Sequence, residues 1–147
     1  LFVVAAAESP PPELIGIAAE VRILFPWGSL LRGVLGREER VAQGIAALAR
    51  PGATITATVS VTRADGVGGI DTVDGATMAN VEADLRTAGL RLTDSRPIDR
   101  DAVRATRSTW GRRPLGAAGD RRVWRLEFAV AQRSTERDGR PVREAAV

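Results

Sequence analysis

The chain has 147 residues, 44% of them apolar, and a formal net charge of +3, which suits one domain, or part of one, with a sizeable core. It contains no cysteine and no histidine. Disulfides, metal sites of the thiolate and imidazole kinds, and Ser-His-Asp or Cys-His catalysis are therefore excluded for this chain acting alone.

Leu1 to Ala7 is a continuous apolar run, β-branched at Val3 and Val4, and is predicted to be a parallel-sheet strand buried on both faces. A chain rarely opens inside such a strand, and its single methionine is Met78. The expectation is the carboxyl part of a longer protein. Glu8-Ser9-Pro10-Pro11-Pro12 ends the run. Glu8 at the strand tip either accepts from a ligand amine or ribose hydroxyl, or stands as a solvated loop acid. Glu13 to Ala19 is predicted as a short helix and Val21 to Phe25 as a short buried strand. Pro26 removes a donor and Gly28 permits an open turn, so the strand stops there. Trp27 is thereby presented at the carboxyl end of a strand, where open α/β sheets bind ligands. Its alternative role is to fill a gap beneath the next helix.

Ser29 is expected to cap a helix through Val34, broken by Gly36. Glu38 to Arg50 reads as an amphipathic helix with Val41, Ile45 and Leu48 on one face, ended by Pro51-Gly52. Thr54 to Thr62 alternates and is β-branched, the clearest strand pattern in the chain. Arg63 to Gly75 is glycine-rich but lacks the spacing and Lys-Ser/Thr of a phosphate loop, and reads as a flexible connector. Ala76 to Ala88 is a predicted helix with Met78, Val81 and Leu85 inward and Gly89 as its stop. Leu90 to Ile98 is a strand, and Asp99 caps a short helix through Thr106. Arg122 to Ala131 is a final strand, alternating around Val123, Leu126 and Phe128. The organisation expected is one domain over 1–131 and a disordered polar tail over 132–147. The alternation of strands and helices, with the last two strands near enough to pair antiparallel, is the latter part of a doubly wound α/β sheet.

All 21 basic residues are arginine, and seven of them (Arg104, Arg107, Arg112, Arg113, Arg121, Arg122 and Arg125) fall in one stretch with a single acid, Asp120. Set among them is Ser108-Thr109-Trp110-Gly111. Guanidinium groups pair phosphates and an aromatic face stacks an unstacked base, so this cluster suits RNA. A solvated basic connector with its tryptophan packed on the sheet edge is the other reading.

With both tryptophan motifs placed, the chain resembles the 16S ribosomal RNA adenine-N1 methyltransferases of the aminoglycoside-resistance type. The resemblance rests on Ala6-Ala7-Glu8-Ser9, on Leu24-Phe25-Pro26-Trp27-Gly28-Ser29-Leu30-Leu31 and on Ser108-Thr109-Trp110, in the family's order. It implies a class I, Rossmann-like seven-stranded sheet of order 3-2-1-4-5-7-6, of which this chain is expected to hold strands 3 to 7 and to lack strands 1 and 2. It implies S-adenosyl-L-methionine as cofactor, no metal, and 16S rRNA in the 30S subunit as substrate. The whole protein would be a cytoplasmic monomer without membrane attachment. Trp27 and Trp110 would sandwich the flipped adenine, with backbone contacts from Phe25 and Pro26. Ala7, Glu8, Leu24, Ser29 and Ser108 would border the cofactor, and the seven arginines would hold the rRNA backbone. The glycine-rich loop and the ribose-binding acid would lie before Leu1, so the 147-residue chain alone is expected to be unstable or inactive. A small-molecule methyltransferase and a non-catalytic RNA-binding remnant are the alternatives.

Overall fold

The computed structural model describes residues 2–109 and 122–130. Four strands, β1 (Ala18–Leu24), β2 (Ala49–Val59), β3 (Leu90–Ile98) and β4 (Val123–Val130), form one mixed sheet of order β1-β2-β4-β3. Between them lie α1 (Gly28–Val34), α2 (Glu39–Leu48), α3 (Gly75–Thr87) and α4 (Arg100–Ala105). β1 and β2 run parallel, with α1 and α2 as the crossover that parallel neighbours need, whereas β4 pairs antiparallel with both β2 and β3.

Registry explains the burial pattern. Val21 and Ile23 of β1 stand opposite Ile55 and Ala57 of β2, which stand opposite Phe128 and Leu126 of β4. These residues share a face and join one core cluster with Leu31, Val34 and Leu35, with Val41, Ala42 and Ile45 of α2, and with Met78, Val81 and Leu85 of α3. Each large side chain fully buried there stabilises the fold by roughly 1.5–3 kcal/mol. The other face carries mainly polar residues, although Thr56, Thr58 and Val123 on it are buried. Arg22, Thr56 and Glu127 make one row across β1, β2 and β4, and Leu24, Thr58 and Arg125 make the next.

Several expectations need correction. Residues 2–6 form no strand, and Phe2 and Val4 are fully exposed. A strand needs a neighbour to satisfy its backbone, and no described strand lies beside this segment. The described sheet therefore has four strands where five were expected. Glu13 to Ala19 is not a helix: a single 3-10 turn spans Pro12–Leu14, and Ala18 and Ala19 already belong to β1. β2 starts at Ala49, before Pro51-Gly52, and the register shift between Ala18 and Glu20 absorbs the extra residues as a bulge. The segment after β2 is tied down. Thr62 N–H donates to Asp65 Oδ2 at 2.7 Å, and Val67, Ile70 and Val73 are buried in the core. A loop anchored at three apolar points is not a free connector. The tail over 132–147 lies outside the described residues.

Candidate functional site

The carboxyl end of β1 is where the candidate residues gather. The ladder continues one residue past Leu24, because Phe25 N–H donates to Thr58 O at 2.8 Å. Phe25 then turns into the left-handed region, at φ 49°. For a bulky residue directly before a proline this conformation is doubly disfavoured and costs roughly 1–3 kcal/mol. Pro26 is buried, which holds the turn in place. Trp27 is extended, at φ −141° and ψ 169°, and occupies the N-cap position of α1. Gly28, at φ 60°, lets the chain swing from that extended residue into the helix. Ser29 is consequently the second residue of α1 rather than its cap; it is exposed, and no side chain caps this helix end.

The strained turn leaves Trp27 with 75% of its surface exposed, and Leu24, on the polar sheet face, at 39%. Trp27 is therefore not the plug of a hydrophobic gap. Most of the indole is free to meet a flat partner.

The remaining candidates lie elsewhere. Ala6 to Ser9 form a turn closed by Ser9 N–H donating to Ala6 O at 3.1 Å. Ala7 is half-buried against the core and Glu8 is exposed. The turn rests on α2, where a Cβ added at Gly44 would lie 1.8 Å from Ala7 O. Hydrophobic patterning does not single out Gly44. A glycine inside an otherwise well-patterned helix was the available signal, since glycine weakens a helix unless something must come close.

Ser108 follows α4, whose cap forms as expected, with Asp99 Oδ1 accepting from Ala102 N–H at 2.8 Å. Arg107 is left-handed, at φ 55°, and Ser108 is half-buried with its N–H donating to Thr106 Oγ1 at 3.3 Å. Registry places this connection relative to Trp27. Leu24 stands in the row of Thr58 and Arg125, and Arg96 of β3 faces Arg125. The segment from β3 to β4 thus leaves the same end of the sheet as the Phe25–Pro26 turn. The two strand ends are three strand spacings apart, about 14 Å.

Of the seven clustered arginines, Arg104, Arg107, Arg122 and Arg125 are described and exposed. Arg104 pairs with Asp101 at 3.3 Å. Arg125 Nε lies 3.1 Å from Glu127 Oε1, which also receives Arg96 Nη2 at 3.4 Å, and Arg96 pairs with Asp94 as well, so two carboxylates offset the repulsion of the facing guanidiniums. Trp110, Arg112, Arg113 and Arg121 lie outside the described residues. Among the described residues no group of three or more carboxylates is placed to hold a metal ion, and no helix is long and apolar enough to cross a membrane.

Residues 1–130 match the family of NpmA, the 16S rRNA (adenine(1408)-N(1))-methyltransferases. The chain belongs to this family. It is 35% identical over 130 residues to the 16S rRNA (adenine(1408)-N(1))-methyltransferase of Streptoalloteichus hindustanus, covering 82% of this chain and 57% of that relative. The crystal structure of the 16S rRNA methyltransferase KamB superposes with a TM-score of 0.76 at 30% identity, covering 86% of this chain and 60% of KamB. A mutant of the Catenulisporales acidiphilia 16S rRNA (adenine(1408)-N(1))-methyltransferase, solved with cosubstrate SAM, gives a TM-score of 0.71 at 28% identity and covers 88% of this chain and 61% of that protein. The chain thus spans less than two thirds of the length of these family members.

Proposed function

We propose that this chain carries the base-binding and RNA-facing part of an S-adenosylmethionine-dependent methyltransferase acting on N1 of the 16S rRNA decoding-site adenine. The observation that carries the reading is Trp27, three-quarters exposed at a strained turn on the ligand-binding end of the sheet. The sheet order β1-β2-β4-β3 supports it, since it reads as 4-5-7-6 of a class I methyltransferase.

The described residues fit part of a cofactor site. Leu24 offers exposed apolar surface to an adenine ring, and Ser29 and Glu8 offer exposed oxygens to its amine or ribose. S-adenosylmethionine, when bound, supplies a methyl group on a sulfonium sulfur. N1 of the target adenine brings its own lone pair, so no residue of a chain without histidine has to remove a proton first. Positioning supplies most of the catalysis. Trp27 stacks the base once it has left the helix, with Trp110 as its opposing face. The backbone carbonyls of Phe25 and Pro26 accept from its exocyclic amine. The methylated base is cationic, and the indole faces favour a cation. Ser108 orders the Trp110 loop, and the arginines between 104 and 125 hold the rRNA backbone through phosphate contacts.

The test is labelled methyl transfer from S-adenosylmethionine to 30S subunits. It compares this chain with a form carrying, upstream, the two strands that the family resemblance implies, taken from the Streptoalloteichus hindustanus relative. Transfer by the completed form, falling by one to two orders of magnitude on Trp27→Ala, is the expected result. Transfer to a small molecule but not to 30S subunits overturns the substrate. Salt-sensitive RNA binding without transfer by either form leaves a non-catalytic RNA-binding protein.

A further inference from the structure

We infer that Gly44 is a positioning residue, which sets the place of the Ala7–Glu8 turn by letting its backbone touch α2, and through it the affinity for the cofactor. The inference rests on the proposed reading that Glu8 borders the cofactor.

Residues 2–17 have little else to hold them. Phe2, Val3, Val4, Ile15 and Ile17 are exposed, and Ala7 is the one apolar side chain of this segment packed on the core. Its place depends on a contact that no side chain at 44 would allow. A Cβ there would meet Ala7 O at 1.8 Å, Ala7 C at 2.9 Å and Glu8 Cα at 3.4 Å. All three are backbone atoms, so no rotamer change relieves the clash. Reaching even 3.0 Å requires the Ala7 carbonyl to move by 1.2 Å, the difference between 3.0 and 1.8. Glu8 would move with it, and a shift of that size breaks a carboxylate hydrogen bond that tolerates only a few tenths of an ångström. A second tether lies about one helical turn further along α2, where Gly16 N–H donates to Ala47 O at 2.8 Å. The segment is therefore fixed to α2 at two points, with Glu8 beside the first.

The sign of the effect separates this role from a merely structural one. Inside a helix alanine is preferred to glycine, so Gly44→Ala should stabilise the chain if nothing approached that position. The experiment follows amide exchange and chemical shifts of the form completed upstream by NMR during titration with S-adenosylmethionine. Gly44→Ala is expected to speed exchange of the Ser9 amide about tenfold, to weaken cofactor binding about tenfold, and to add nothing further to Glu8→Gln. Gln43→Gly, which weakens the same helix at an exposed position, is expected to leave binding unchanged. Unchanged Ser9 exchange and affinity in Gly44→Ala would overturn the inference, as would an equal loss in Gln43→Gly. If Glu8→Gln binds S-adenosylmethionine as tightly as the unsubstituted completed form, the cofactor reading of Glu8 fails, and with it the link from Gly44 to affinity. Ser9 exchange then still reports whether Gly44 seats the turn.

Discussion

Replacing Trp27 by alanine separates a recognition role from a packing role, because the structure sets the two costs apart. Only a quarter of the side chain is buried. A tryptophan can bury up to ~250 Å², so about 60 Å² is at stake, worth at most ~1.5 kcal/mol at ~25 cal/mol per Å². The real loss is smaller, since the unfolded chain already covers part of that surface. Leu35→Ala is the reference: Leu35 is fully buried, and such truncations cost about 2–5 kcal/mol. Loss of one stacking face costs ~1–3 kcal/mol per base, or about 5- to 150-fold in methyl transfer. Urea unfolding of the three proteins, together with methyl transfer to 30S subunits by the completed form, reads both quantities. Trp27→Ala should unfold close to the unsubstituted protein while transfer falls by one to two orders of magnitude. An unfolding midpoint as low as that of Leu35→Ala, or undiminished transfer, would refute the reasoning.

Three further outcomes are expected. The Asp74 carboxyl caps α3 and is held below its usual range, first by the backbone N–H of Thr77 and then by the Thr77 side chain. Its contribution to stability is therefore complete above the unfolded pKa of about 3.9 and lost as pH falls through the lower folded value. Asp74→Asn should flatten that acid limb in thermal melts below about pH 4, and an identical limb in both proteins would contradict the cap. Arg122→Gln should reduce the salt slope of RNA binding by about one unit. Arg125→Gln should change it less, because Glu127 already engages that guanidinium; equal effects would argue against the assignment. β1 is an edge strand of the described sheet, with Leu24 exposed at its end and Ile17 exposed just before it, an association hazard. Ile17→Lys should lower the concentration-dependent light scattering of the chain, and unchanged scattering would place the sticky surface elsewhere.

Much of this fold can be read from periodicity. The 3.6-residue pattern of Val41 and Ile45, the spacing of Met78, Val81 and Leu85, and the inward Ile55, Ala57 and Val59 of β2 and Leu126 and Phe128 of β4 all correspond to buried residues. Thr56 and Thr58 on the opposite face of β2 are buried as well. The failures share a cause, which is that local pattern says nothing about neighbours. Leu1 to Ala7 has strand composition, yet composition without a pairing partner makes no strand. Ala18 and Ala19 would suit a helix equally well, but pairing of Ala18 and Glu20 with β2 draws both into the strand. Val67, Ile70 and Val73 sit among glycines that masked them as anchors. At the site, the Pro-Trp-Gly turn was legible because proline and glycine act locally. The contact between Gly44 and Ala7 was not, because it joins residues 37 positions apart.

The sheet order also sets a schedule for synthesis. β2 is an interior strand whose second edge is covered only by β4, and β4 ends at Val130. Seventy-one residues, 60 to 130, must be made after β2 is complete. At roughly 5–20 residues per second that takes about 4–14 s. Throughout that interval the most buried of the described strands has one unpaired edge, which makes a nascent-chain chaperone the expected companion of its production and slow translation between β2 and β4 a direct route to loss of yield.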